Sequence, residues 1–361
     1  MKNRVWIINT IAFVLVFTLI FVKVSYLLRN IDGGKSLVEY TDEIADTTDV
    51  VFIGGSSTFS FWAPYFGWEE YGIASYDYSV ASMSPSLTIG LMKEVSKIST
   101  PDLFVIDLRA LALRDDKPGV YTDAYLRNIT DSLRYSINRF NTVNYSFSFE
   151  QPEQLYKLEN HVDIIKYHAT WQTICENQFK YAMQDVGPSE FRGFGLLMES
   201  FESYEKNDWK DCDEEELFKD ETMAILNDIL DYCDECGAEV LFTLNPYYQS
   251  TNRDKVRYNG AKRIIEERGY TFINTNDYLE EIGVDFKYDF YDNNHVNING
   301  SEKYTSFLGY YIINNYGNIV KDRRNNSKYS KAWNDGIAHW DESVIEAKQF
   351  IEEEIAREQG K

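Results

Sequence analysis

The feature that most constrains the fold is a set of four short apolar runs, each set off by glycine or proline. Val50-Val51-Phe52-Ile53 ends at Gly54-Gly55, and Leu103-Phe104-Val105-Ile106 follows Pro101-Asp102. Val240-Leu241-Phe242-Thr243-Leu244 stops before Pro246, and Tyr270-Thr271-Phe272-Ile273 follows Gly269. Each run is continuous rather than alternating, the pattern of a strand covered on both faces. Ala74 to Val80 suits an edge strand. Between them lie helical patterns at Leu87–Ser99, at Glu221–Cys236 closing on Gly237, and at Asp254–Arg268 closing on Gly269. This alternation predicts an α/β fold, with a mostly parallel sheet sandwiched by helices. Residues 121–220 break the rhythm and, rich in Tyr, Phe, Asn and Ser, read as a helical insertion or cap. The resulting division is an anchor at 1–30, a linker at 31–47, an α/β domain at 48–320 and a charged helical tail at 321–361. In that tail Val344, Ala347, Ile351 and Ile355 repeat at helical spacing amid dense charge, as on a surface helix.

The anchor is read from Trp6 to Val22, an apolar run broken only by Asn9, Thr10 and Thr18. About 20 apolar residues at 1.5 Å each cross the hydrocarbon core of a bilayer, and Lys23 can snorkel to the interface. A cleaved signal peptide is the rival reading, but no small-x-small site follows the run. Orientation stays open on charge alone, because Lys2 and Arg4 on one flank compete with Lys23, Arg29 and Lys35 on the other.

Charge separates this head from the body. The chain carries a formal net charge of −22, yet its first 35 residues hold five basic side chains against Asp32 alone. The remainder has 31 basic against 57 acidic side chains, a net −26. Such a body repels phosphate backbones, which excludes nucleic-acid binding as a primary role. The 44% hydrophobic and 16% aromatic content excludes intrinsic disorder.

Few residues suggest metal or redox chemistry. Cys233-x-x-Cys236 lies in a helical pattern with no second ligand pair, which favours ordinary helix thiols. His161 and His168, with Asp163 between, match no common ligand spacing. No cofactor or metal is expected.

Two segments carry chemistry. Ile53-Gly54-Gly55-Ser56-Ser57-Thr58 follows the first strand directly and places Ser56 at the end of a parallel strand, where ligands of open sheets bind. A helix starting there points free N–H groups at an oxyanion beside Ser56. Neither a Walker loop nor a Gly-x-Ser-x-Gly elbow fits, since Thr58 stands where the second glycine belongs. The plainer alternative is a glycine turn capped by Ser56 or Ser57. The second segment is Tyr291-Asp292-Asn293-Asn294-His295, with Asp292 three residues before His295. That step lets a carboxylate fix the imidazole tautomer. Ser301 and Glu302 then start a helix, Lys303 to Asn315. The aromatic group Phe59, Phe61, Trp62, Tyr65, Phe66 and Trp68 follows Ser56 and suits either an acyl or sugar slot or the core.

Together these segments resemble the SGNH (GDSL-like) hydrolase superfamily, in order over roughly residues 48–316. The resemblance implies an SGNH/flavodoxin-like sheet, with Ser56 as nucleophile, His295 as general base and Asp292 as its orienting acid; Asp289 is the stand-in for Asp292. Departures are visible. Gly54-Gly55-Ser56 replaces Gly-Asp-Ser, the oxyanion glycine of the second block falls near Ser79, and Asp107-Leu108-Arg109 replaces Gly-x-Asn-Asp. Ser79 and Arg109 therefore stand at the oxyanion positions, with Arg109 either a donor there, an anion binder, or a partner of Asp107. The anchor and the insertion resemble the membrane-anchored branch that holds the DltD-type D-alanyl transfer proteins and the alginate O-acetylation proteins. That likeness implies a body outside the cell membrane. It also implies an esterase or O-acyltransferase acting on acetyl or D-alanyl esters of a cell-envelope glycopolymer, with a membrane O-acyltransferase as possible partner. The other reading is a non-catalytic scaffold of the same fold in an envelope-modifying complex.

Overall fold

The structure, a computed structural model, describes residues 2–29, 31–183, 186–199, 212–247 and 251–359. Five strands, β1 (Val50–Gly54), β2 (Ser75–Ser79), β3 (Leu103–Asp107), β4 (Glu239–Leu244) and β5 (Thr271–Asn274), form one parallel sheet in the order β2-β1-β3-β4-β5. The fold is α/β, and α-helix predominates around the sheet. Because every strand is covered on both sides, the apolar runs feed two cores. Val51, Ile53, Phe104, Ile106, Val240 and Phe242 pack on one face, while Val50, Phe52, Leu103, Val105 and Leu241 pack on the other.

Beside several shorter turns of helix, the helices used below are, in chain order, α1 (Lys2–Leu28), α2 (Ser56–Phe61), α3 (Pro64–Tyr71), α4 (Thr88–Ile98), α5 (Asp123–Thr130), α6 (Ile137–Glu150), α7 (Asp163–Tyr167), α8 (Glu176–Met183), α9 (Asp220–Glu235), α10 (Asn252–Glu267), α11 (Ile298–Tyr316) and α12 (Ser327–Gln359). Leu91 and Val95 of α4, Ile225, Leu226 and Ile229 of α9 and Tyr258 and Ile265 of α10 belong to the first core. Tyr304, Leu308 and Ile312 of α11 belong to the second. One N-terminal helix, α1, is apolar and long enough to cross a membrane, and its residues 3–20 are exposed.

Two regions differ from expectation. Residues 31–47 are no free linker, since Ile31, Leu37, Tyr40 and Ile44 are buried and the Tyr76 hydroxyl donates to the Ser36 carbonyl at 2.8 Å. The C-terminal helix begins at Ser327 and is more than a surface helix. Its Trp333, Trp340, Ala347 and Ile351 are buried, and Trp333 stacks on Trp68 with ring centres 5.1 Å apart. Polar residues between the tryptophans hid that face from the apolar spacing. The aromatic group after Ser56 is mostly core: Phe61, Trp62, Tyr65 and Trp68 are buried.

Edge strand β2 is covered too. The Asp77 N–H donates to the Arg192 carbonyl at 2.9 Å. Gly193 follows at φ +86°, where an added Cβ would stand 2.2 Å from the Asp77 carbonyl oxygen, so glycine is required. Cover of this kind blocks edge-to-edge pairing.

The insertion clamps the base of α1. Asp163 and Asp131 are buried among three buried arginines. Arg29 Nε lies 2.7 Å from Asp163, Arg127 Nη2 lies 2.8 Å from Asp163 and 2.9 Å from Asp131, and Arg139 Nη2 bridges both at 3.2 and 3.1 Å. Burial alone favours a protonated Asp163, but Arg29, Arg139, the Tyr135 hydroxyl and Arg127 hold its carboxyl below the usual range. Asp163 is thus a structural anion. His168 Nδ1 lies 2.9 Å from the Ile165 carbonyl and His161 Nε2 3.3 Å from Asn144 Oδ1. Among the described residues no group of His, Cys, Asp and Glu could hold a metal ion.

Removing one partner of a buried ion network leaves uncompensated charge at a cost of about 3–5 kcal/mol. Asp163→Ala should therefore lose about that much stability in chemical denaturation. Burial, together with Arg139 and Arg127, pushes the His161 imidazole down to about 4 from 6.5. The folded state keeps this group neutral while the unfolded chain binds a proton, so its stabilisation is present above pH 6.5 and declines as pH falls towards 4. His161→Gln should flatten the stability profile in that window.

Candidate functional site

The strand order changes direction between β1 and β3, so connections leave to opposite sides and open a crevice at the C-terminal ends of those strands. Gly54 closes β1 there. An added Cβ at position 54 would stand 2.1 Å from Thr58 Oγ1 and 3.0 Å from the Asp107 Cβ, so only glycine lets α2 start this close to β3. Ser56 is the first residue of α2, and the N–H groups of Ser56 and Ser57 open the helix without intrahelical partners, while that of Thr58 donates to the Gly55 carbonyl at 3.0 Å.

The residues 290–297 bring His295 to Ser56. An antiparallel bridge pairs Phe290 with Val296, and the Tyr291 N–H donates to the His295 carbonyl at 2.9 Å. The Asn297 side chain caps α11, accepting from the N–H groups of Asn299 and Gly300. His295 Nε2 then lies 2.7 Å from Ser56 Oγ, and His295 Nδ1 lies 2.8 Å from both Asp292 oxygens. Asp292 Oδ1 also accepts from the N–H groups of Asn294, at 2.7 Å, and His295, at 2.9 Å. Burial pulls its carboxyl upward, but these hydrogen bonds and the imidazole hold it below the usual range. With Asp292 ionised, Nδ1 carries the proton and Nε2 is left as the acceptor from Ser56. The chain Ser56–His295–Asp292 is therefore directional.

Asp289 takes no part. Its carboxylate accepts from Lys303 Nζ at 2.6 Å and from the Asp285 N–H at 2.7 Å, bracing α11 instead.

Ser79 is not an oxyanion donor. The Val80 N–H donates across to the Gly54 carbonyl while Asp77 donates outward to Arg192. Strand alternation turns the Ser79 N–H the same way as that of Asp77, away from Ser56. Its side chain is buried, and the crevice is lined instead by Ser82 and Met83.

Arg109 lines the crevice but holds the loop rather than an acid. Its Nη1 donates to the Asn294 carbonyl and its Nη2 to the Pro246 carbonyl, each at 2.6 Å. From Arg109, Asp107 accepts only the backbone N–H, at 3.1 Å. Burial lowers the affinity of this guanidinium for its proton, and Asp107 offsets part of that loss. The residue thus ties the His295 loop to the end of β4.

Sequence reasoning missed the hub beneath the site. Asp107 Oδ2 accepts from Ser57 Oγ at 2.5 Å, Thr58 Oγ1 at 3.3 Å and Asn245 Nδ2 at 3.3 Å, and the Tyr304 hydroxyl donates to Asn245. The signal was an acid closing an apolar strand, visible at Asp107 but read only as a partner for Arg109. Together Gly55, Ser56, Ser82, Arg109, Arg114 and His295 line a cavity of about 190 Å³. It holds Ser56 and His295 in hydrogen-bond contact.

No family model, curated protein or solved structure matches the chain.

Leaving buried hydrogen-bonding groups without partners costs about 1–3 kcal/mol each. Asp107→Ala strands Ser57 and the Arg109 N–H, so we expect a loss of about 2–4 kcal/mol in denaturant-induced unfolding.

Proposed function

We propose that the chain is an SGNH-type serine esterase or O-acyltransferase anchored in the cell membrane by α1, with its body outside. Its substrates are acetyl or D-alanyl esters of a cell-envelope glycopolymer. The observation that carries this reading is the hydrogen-bond chain from Ser56 Oγ through His295 to Asp292, 2.7 and 2.8 Å long.

In the reaction Ser56 Oγ attacks the ester carbonyl while His295 Nε2 takes its proton, and Asp292 steadies the imidazolium. The tetrahedral oxyanion lies against the opening N–H groups of α2. Collapse expels the alcohol, which takes the proton from His295 and leaves an acyl ester on Ser56. A second hydroxyl then gives its proton to His295 and attacks the acyl carbon, restoring Ser56. Water as that nucleophile yields a carboxylic acid, and a sugar or polyol hydroxyl yields a new ester. Arg109 positions the base through the Asn294 carbonyl. A membrane O-acyltransferase is the partner that would supply the acyl group at this surface.

A fluorophosphonate probe tests the nucleophile. Ser56→Ala should abolish labelling of the full chain, and Asp292→Asn should slow it roughly 10³–10⁴-fold by losing the required tautomer. Undiminished labelling of Ser56→Ala would sink the assignment in favour of a non-catalytic scaffold.

A further inference from the structure

A second cavity lies where α1 meets the body. It measures about 420 Å³ and is lined by Tyr26, Arg29, Ile31, Leu37, Arg134 and Tyr135, within the ~300–1,000 Å³ range of small-molecule sites. Its level relative to α1 is set by Lys23, whose Nζ donates to the Ala182 carbonyl at 2.6 Å as the apolar run ends. Beside that contact Phe179 and Met183 of α8 are 55% and 66% exposed, and Trp171 is 51% exposed. Exposed apolar side chains around the base of a membrane helix belong at the lipid interface.

The chemistry inside the cavity is cationic. Arg29 is 3% exposed, and its Nη2 has no hydrogen-bond partner although Nε and Nη1 are bonded. The three buried arginines around Asp131 and Asp163 leave one positive charge over. Arg134 is exposed and makes no ion pair with a described residue. Of the acids lining the cavity, Glu94 is bonded to Lys97 and Asn138, Asp131 is held by Arg127 and Arg139, and Asp42 is exposed.

We propose that this cavity binds the phosphate of an anionic phospholipid headgroup from the bilayer that α1 spans, through Arg29 and Arg134. The inference rests on the membrane-anchor reading and is independent of the catalytic one. A phosphodiester supplies the single negative charge the buried cluster lacks and accepts from both guanidiniums, while its glycerol contacts Tyr26 and Tyr135. The bound lipid would fix the height and tilt of the body over the membrane.

Native mass spectrometry of the full chain in detergent micelles tests this with added phosphatidylglycerol or phosphatidylcholine. Arg29 belongs to the buried cluster, so the variant is Arg134→Gln at an exposed position. We expect roughly tenfold higher retention of phosphatidylglycerol, and a fall to the phosphatidylcholine level in Arg134→Gln, as suits loss of a charge-assisted contact. Equal retention of the two lipids, or an unchanged variant, overturns the proposal. So does full displacement of phosphatidylglycerol by an equal concentration of glycerol 3-phosphate, which would mark a soluble phosphate as the ligand. Alkaline carbonate extraction of membranes reports on the anchor separately: release of the chain refutes the anchor while the micelle readout still decides the site.

Discussion

The parallel pairing of β1 with β3, from Val50 opposite Leu103 to Ile53 opposite Ile106, determines where everything else can stand. It brings the ends of two strands side by side while their connections diverge, and β2 on the far side of β1 completes the reversal. At that junction Gly54 admits α2 and Asp107 pins its first turn through Ser57 and Thr58. Ser56 is thereby held by the sheet side through its helix and met on the other side by His295. Arg109, on the same strand end, reaches over to hold the loop that delivers the histidine. One carboxylate and one guanidinium, two residues apart, connect the sheet to both halves of the site.

Much of this was legible in the sequence, for definite physical reasons. Strands buried on both faces must be continuously apolar, so β1, β3, β4 and β5 were visible within a residue or two. A glycine turn at a strand end and an Asp-x-x-His step are both local patterns, and they named Ser56, Asp292 and His295. What failed was information carried by pairing partners. Ser79 was assigned by its place in the chain, yet the direction of its N–H depends on strand alternation relative to Gly54 and Arg192. Arg109 was recognised as a cation near the site, but its partners are carbonyls of Pro246 and Asn294, distant in sequence. The Asp131–Asp163 cluster and the tryptophan face of α12 likewise join segments that no local periodicity links.

Charge acquires a different meaning once placed in the fold. The body is strongly acidic, yet its buried charges include Arg29, Arg109, Arg127 and Arg139. Arginine suits such positions because its planar fork can satisfy several carbonyls and carboxylates at once. Acidic residues dominate the surface and disfavour polyanions in general, whereas the two cavities present guanidiniums. The insertion that clamps α1 thus joins the base of that helix to the body that carries Ser56, His295 and Asp292.

The proposed activity requires that Ser56 act as a nucleophile driven by His295 and Asp292. Peptide mass analysis after brief incubation of the full chain with p-nitrophenyl acetate, quenched in acid, tests it most directly. One acetyl group is expected, carried by the peptide containing Ser56, that is lost on further incubation and fails to form in Asp292→Asn over the same interval. Acetylation elsewhere with Ser56 unmodified, or equal acetylation of Ser56 in the Asp292→Asn variant, would contradict it.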